Sequence, residues 1–515
     1  MATPSGLNQY SFTQRQLVDR KLHPDLPATP FWAYDDGTGL GEQAGSFGMA
    51  VVGQSGTPLQ MTFTNELPKT YPAWIPVDTG LTPLGNEVRL MTHLHGGFVD
   101  SDSDGNPYVT PNGFGQGDMQ SVVYPNQLPQ QPASLLWFHD HGLGATRLNV
   151  FAGLAAAYIL RDEFDTGAEP NPIGIPGGAY EIPLVVQDRQ FNRDGTFLYP
   201  TSDVPGATWI GEYFGDVMLV NGKVWPFLEV EPRMYRFRIL NGCNARILSL
   251  DLGGPALWQI GADGGMWDQP VSVNQLVLAP AERADVLVNF SKFPGARLML
   301  KNHKPKKPVS TPAPSLEQVM EIRVGTNVSQ PGPRRIPASL PGRSANLHDP
   351  VTTRYVTLNE IDVDEPTWFL NMNAMRFDEG PVTETPTAGT VEDWVYVNLT
   401  ADTHPMHMHL VTFQVLGRTP FDAQAYEEAH EAAANGVPGG IDPTPYETGP
   451  MLPPDPSERG FKDTVKANPG YLTKIRAKFE LPRGTVAPQT YVYHCHIVEH
   501  EDNDMMRPFQ VLPPG

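Results

Sequence analysis

Four short runs concentrate the histidines of this chain. They are His93-Leu94-His95, His139-Asp140-His141, His404-Pro405-Met406-His407-Met408-His409, and His494-Cys495-His496-Ile497-Val498-Glu499-His500, the last followed closely by Met505. The runs hold ten of the 14 histidines in 515 residues. Chance would give roughly 0.4 His-x-His pairs, against four present. In an extended strand residues i and i+2 share a face, so each pair aims two imidazoles at one place while the residue between points away. In the last run His494 and His496 take one face and Cys495 the other. A thiolate-bound metal and an imidazole-bound metal would then lie on opposite sides of one strand, joined by covalent bonds along which electrons could pass. A thiolate, two imidazoles and a weak thioether form the ligand set of a blue-copper electron-transfer site, and His404, Cys495, His500 and Met505 supply it. The eight remaining clustered imidazoles are an all-nitrogen set large enough for three further copper ions. Structural zinc, which takes four ligands usually rich in thiolate, does not suit them.

Such donors need strands to hold them, and strand-like runs recur through the chain. They fall at 49–67, 133–141, 153–162, 180–189, 233–242, 285–290, 297–302, 393–400, 409–418 and 474–481, each short, β-branched or aromatic, and bounded by Gly, Pro, Asn or Asp. With 49 Gly and 53 Pro, long helices are disfavoured and an all-β chain of Greek-key sandwiches or barrels is expected. The clearest expected helix is 421–436, where Ala and Glu fall at helical spacing before a Gly-Val-Pro-Gly-Gly stop. Loop-rich stretches at 165–178 and 325–350 divide the chain into expected domains 1–175, 176–345 and 346–515. The openings at 49–67, 228–242 and 390–400 share a strand–turn–strand look, a weak hint of one repeated sandwich.

The formal net charge of −21 disfavours a nucleic-acid partner, which would need clustered Lys and Arg. No run of 18 apolar residues is present to span a bilayer, and the first residues lack the basic leader and apolar stretch of a signal peptide. That start is compatible with a cytoplasmic or a spore-coat or cell-envelope location. Cys243 and Cys495 allow at most one disulfide; with no histidine near it in sequence, Cys243 is expected to be a buried free thiol.

The four metal motifs, the stretch 220–242 and the ending His494–Pro508 together resemble a three-domain multicopper oxidase, in the branch of bacterial spore-coat laccase, bilirubin oxidase and phenoxazinone synthase. The resemblance covers essentially the whole chain. It implies three cupredoxin-like Greek-key domains and four copper ions. His404, Cys495, His500 and axial Met505 would hold the type 1 copper, His93 and His407 the type 2 copper, and His95, His139, His141, His409, His494 and His496 the type 3 pair. The implied chemistry is four one-electron oxidations of a small aromatic reductant, transfer through Cys495 to His494 and His496, and reduction of dioxygen to two waters.

The resemblance also implies proton-relay carboxylates at Asp104 and Glu501, for which a solvated turn and a surface or hydrogen-bonding role are the competing readings. Met506 competes with Met505 as the axial residue. Asp140, between two ligands, is expected to cap a loop. His23, His303, His348 and His430 stand alone, and each is expected to lie on the surface or in the core. The segment 421–456, between the two blue-copper motifs, is a candidate wall of a substrate pocket. The acidic balance favours cationic or neutral aromatics over anions. Laccase-like oxidation of phenols and aromatic amines leads; bilirubin or o-aminophenol oxidation, metal-ion oxidation and a copper-binding coat protein are the alternatives.

Overall fold

The computed structural model describes residues 1–39, 50–202, 210–342, 346–364, 367–377, 380–433 and 440–514. Among the described residues the fold is all-β, with six sheets arranged in three pairs along the chain. The first pair places strands in the orders Thr29–Asp35, Gln9–Arg20, Leu59–Asn65, Met119–Tyr124 and Val51–Gln54, Ala155–Arg161, Leu135–Asp140, Thr92–His95. The second pair has seven and five strands and uses chain from Glu181 to Val324. The third pair has six and four strands, the smaller ordered Thr464–Ala467, His404–Met408, Gln489–Cys495, Met506–Val511.

Period-two alternation explains how these strands serve both core and site. In Leu135–Asp140, Leu136 and Phe138 enter the core of the first pair, while Leu135 and Trp137 pack against Leu240 and Ala281 of the second. His139 shares the face of Leu135 and Trp137, so the strand is buried throughout rather than on one side. Likewise Tyr491, Tyr493 and Cys495 enter the core of the third pair, which turns Val492 and His494 to the other face. Register then aligns the motifs: His93 lies opposite His139, His407 opposite His494, and Met406 opposite Cys495.

Three details differ from the expected elements. The run 409–418 is interrupted: one strand, His404–Met408, ends before Leu410, whose φ of 68° turns the chain, and the next, Phe413–Pro420, belongs to the other sheet. The expected helix is Ala423–Ala433, started by the Asp422 carboxylate accepting the Ala425 N–H at 3.1 Å; residues 434–436 lie outside the described ones. Two short helices, Thr146–Ala152 and Val498–Asp502, were not expected, because every residue in them is buried and no polar face gives a helical period. Both cysteines are free and buried.

Candidate metal centres

The smaller centre forms where the strand Gln489–Cys495 ends and the helix Val498–Asp502 folds back over it. Cys495 Sγ lies 3.6 Å from His404 Nδ1 and 3.8 Å from His500 Nδ1, and the two nitrogens are 3.2 Å apart. The outer nitrogen of His404 meets Thr400 Oγ1 at 2.6 Å, while His500 is hydrogen-bonded to the Gly211 backbone. Those contacts turn both Nδ1 atoms toward the sulfur. The Cys495 N–H donates to Met505 O at 2.9 Å, and Met505 is buried in the core with Cys495 and Ile497. Met506 packs elsewhere, against Phe377 and Val492. Burial pushes the Cys495 thiol well above its usual range, with Glu360, Glu501 and Glu212 adding to the effect. The Ile497 N–H, 3.4 Å from the sulfur, opposes that rise, and a cation bound at the sulfur would favour the thiolate further.

The larger centre joins the first and third pairs of sheets. His93 stacks on His409 with ring centroids 3.8 Å apart, and His95 on His407 at 3.6 Å. Three all-histidine donor triads result, His93 with His95 and His407, His95 with His139 and His496, and His141 with His409 and His494, and a fourth joins His93 and His409 to Asp104. The Nε2 atoms of His141 and His409 each lie 3.3 Å from His494 Nε2.

Hydrogen bonds on the far side of the rings decide which nitrogen faces inward. Nδ1–H of His93 donates to Asp104 O at 2.6 Å, that of His139 to Asp140 O at 2.9 Å, that of His407 to Asp463 O at 2.8 Å and that of His409 to Asp104 Oδ2 at 2.7 Å. Each leaves Nε2 for the interior. His95 is reversed: its Nε2 contacts Asp463 Oδ1 at 3.0 Å, leaving Nδ1. The inward atoms His93 Nε2, His95 Nδ1, His139 Nε2 and His407 Nε2, with both nitrogens of His496, are buried without a hydrogen-bond partner. Burial, reinforced by neighbouring histidines, holds the pKa values of His95, His139, His141, His407, His409 and His496 well below the usual imidazole range. Neutral, desolvated imidazoles with lone pairs aimed at common points fit copper, and both donor sets meet its preferences.

Two carboxylates reach the larger centre. Glu501 places Oε1 3.2 Å from His141 Nδ1 and Oε2 3.2 Å from His494 Nδ1. Asp104 and Glu501 are both essentially fully buried, which removes the solvated readings of each. Asp140 caps the following turn, its Oδ1 accepting the Gly142 N–H at 3.0 Å and an Asn149 N–H at 2.6 Å. Of the lone histidines, His348 is exposed, His23 meets Phe191 and Trp225, His303 pairs with Asp251, and His430 stacks on Tyr426. The segment 421–456 contributes Phe421 and Tyr426 to a cluster on Val395, Val397 and Leu472.

Sequence reasoning missed Asp463 and the acidic residues beside His404. Glu360 Oε1 lies 3.5 Å from His404 Nε2. Burial raises Glu212 to about 9 and Glu360 to about 7, with Asp402 adding to both. Glu212 comes from the middle of the chain, and nothing in the local sequence marks it.

Two family models described as multicopper oxidase match residues 177–313 and 349–515. The chain is 37% identical over 525 residues to the laccase of Bacillus subtilis (strain 168), covering 98% of this chain and 94% of that one. It is 37% identical to multicopper oxidase LPR1 of Arabidopsis thaliana, covering 96% and 87% of the respective chains. Among solved structures, McoA multicopper oxidase from the hyperthermophile Aquifex aeolicus superposes with a TM-score of 0.75 at 25% identity, covering 99% of this chain and 97% of that one.

Proposed function

This chain belongs to the multicopper oxidase family and is a laccase-type copper oxidoreductase, and from that premise we propose which residues hold its coppers and serve its reaction. His404, Cys495 and His500, with Met505 as a weak thioether, would hold the type 1 copper. His93 and His407 hold the type 2 copper. The type 3 pair takes His95, His139 and His496 on one side and His141, His409 and His494 on the other, a division supported by the donor triads. When bound, copper would supply one-electron oxidation chemistry at the smaller centre and reduction of dioxygen by four electrons and four protons to two waters at the larger one. Cys495 shares a peptide bond with each of His494 and His496, so its backbone is the short covalent path between the two centres. Glu501, between His141 and His494, and Asp104, against His93 and His409, are placed to hold and pass protons that dioxygen reduction takes up.

The observation that carries this reading is the convergence of one buried sulfur and two Nδ1 atoms on a strand whose flanking histidines belong to the other centre. Copper content and visible absorption of the purified protein test it. About four coppers per chain and an intense blue band that Cys495→Ser loses are expected; a colourless, zinc-loaded protein would end the reading.

The reductant is a phenol or aromatic amine that delivers electrons at the type 1 site. The net charge of −21 supports a cationic or neutral substrate over an anionic one. Bilirubin and o-aminophenol are the runners-up within the same chemistry. Glu360, 3.5 Å from His404 Nε2, favours one second reading, oxidation of a metal cation held beside His404. Oxygen uptake with a panel of phenols, aromatic amines, bilirubin and metal ions separates them, and Glu360→Gln should slow the metal arm far more than the phenol arm. Division of the chain at about 175 and 345 is supported by the three sheet pairs, with copper ligands in the first and third domains.

A further inference from the structure

The middle domain supplies no donor to either centre, yet one of its arginines reaches the larger one. Arg283, in strand Arg283–Asn289, is 1% exposed and spends all three guanidinium nitrogens on partners from three parts of the chain. Nη1 and Nη2 form a fork on Asp463 at 2.7 and 2.5 Å, Nε donates to Leu135 O at 3.0 Å, and Nη1 also reaches Ala281 O at 3.1 Å. Leu135 begins the strand that carries His139.

Asp463 in turn faces two histidines. Its backbone oxygen accepts from His407 Nδ1, and its carboxylate contacts His95 Nε2 and accepts from Thr464 Oγ1 at 2.9 Å. A carboxylate in a two-point fork with a guanidinium is an acceptor, so the His95 nitrogen against it must carry the proton. That fixes the tautomer of His95 opposite to that of its neighbours and leaves its Nδ1 as the lone-pair nitrogen. Gly96 keeps the approach open. Its φ is 82°, and a Cβ there would lie 2.6 Å from Asp463 Oδ2 and 2.9 Å from Arg283 Nη2.

We infer that Arg283 and Asp463 are positioning residues for the trinuclear centre: the middle domain, through the Arg283 fork on Asp463, locks His95 with Nδ1 toward copper and so sets how tightly that centre holds its metal. The inference rests on the copper assignment proposed above. It concerns a group that touches neither copper nor substrate but acts through a ligand's far side, where loss of such a partner typically costs about 10- to 100-fold in metal affinity.

The test compares wild type, Arg283→Met, Arg283→Lys and Arg236→Met. Arg236 is an equally buried arginine of the middle domain, forked on Asp165 at 2.8 Å and touching no histidine. The readouts are copper per chain, the type 2 electron paramagnetic resonance signal, and Cu(I) affinity by competition with a chromophoric chelator. Arg283→Met should keep the blue band and one copper while the trinuclear coppers bind about 10- to 100-fold more weakly, with an altered type 2 signal. Arg283→Lys, which keeps the charge without the fork, should lie between and is the variant to read if methionine yields no folded protein. Arg236→Met should lower Tm and leave copper content and signal unchanged. Wild-type copper binding in both Arg283 variants, or equal copper loss in Arg236→Met, would overturn the positioning role while leaving the copper assignment intact. A wild-type chain without a blue band would sink that assignment and take the inference with it.

Discussion

The two ends of the eight-histidine centre are built alike and finished differently. At one end the stacked pair His93 and His409 rests on Asp104; at the other the pair His95 and His407 rests on Asp463. Each aspartate uses its backbone oxygen for one ring and its carboxylate for the other. Asp463 is clamped by Arg283, with Lys462, Asp263, Glu282, Lys466, Glu458 and Arg418 extending the buried ion network behind it. Among the described residues no Lys or Arg pairs with Asp104, its Oδ1 lies 3.5 Å from His93 Nδ1, and burial raises its carboxyl above the usual range against the opposing pull of His93. One end therefore carries a carboxylate held in a guanidinium fork, and the other a carboxyl that burial raises and no guanidinium clamps. A clamped carboxylate suits holding geometry; an unclamped one suits proton traffic.

The largest expected contrast is in stability. Asp463→Asn breaks the fork and strands a buried guanidinium, which should cost about 3–5 kcal/mol. Asp104→Asn removes no ion pair and should cost clearly less. Tm of the two variants, each relative to wild type, reads the difference, and equal losses would erase the distinction between the ends.

Turnover should show the reverse order. Asp104→Asn keeps an acceptor for His409 but cannot exchange a proton, so oxygen uptake should fall about 100-fold or more with the blue band retained. Glu501→Gln, between His141 and His494, should behave in the same way. Unchanged turnover in both would remove the relay role from this end.

How much of this was legible in the sequence follows from distance along the chain. His-x-His spacing exposed the ligands because strand geometry is local, and short β-branched runs between Gly and Pro exposed the strands that hold them. Asp463 was invisible because its partner His95 is 368 residues away, and Arg283 because its own lies 180 residues away. In the sequence Arg283 falls two residues before the expected strand run 285–290, with nothing beside it to mark a role. Gly96, directly after His95, was the one local hint, since a glycine at a positive φ marks close approach, but the approaching group could not be named. The helix Val498–Asp502 escaped for another reason: buried on every side, it has no period to detect, although it carries both His500 and Glu501.

Acid sharpens the comparison further at the pinned end. Burial pushes Glu458 upward, but Arg418 and Lys466 outweigh it and hold the carboxyl well below the usual glutamate range. A depressed folded pKa means stability that is fully present above the unfolded value, about 4.3, and is lost as pH falls through the folded value. The Arg418–Glu458 pair behind this end should therefore keep its contribution below pH 4, with its loss shifted to higher pH in Arg418→Met. Thermal scans of the copper-free protein across this range measure it, and an unshifted acid limb would show that this pair does not set acid stability.

The smallest effect lies at the type 1 site, outside both ends. Met505 sits in the core beside Cys495, while Met506 turns to Phe377 and Val492 on the opposite face. Met505→Leu conserves size and burial, so fold and copper content should hold and the blue band should persist, because the strong ligands are the thiolate and the two imidazoles. Loss of the weak thioether should still move the reduction potential, which the axial ligand tunes. Met506→Leu should leave it where it is. A redox titration followed at the blue band compares the two, and a potential shift in the Met506 variant rather than the Met505 variant would reassign the axial ligand.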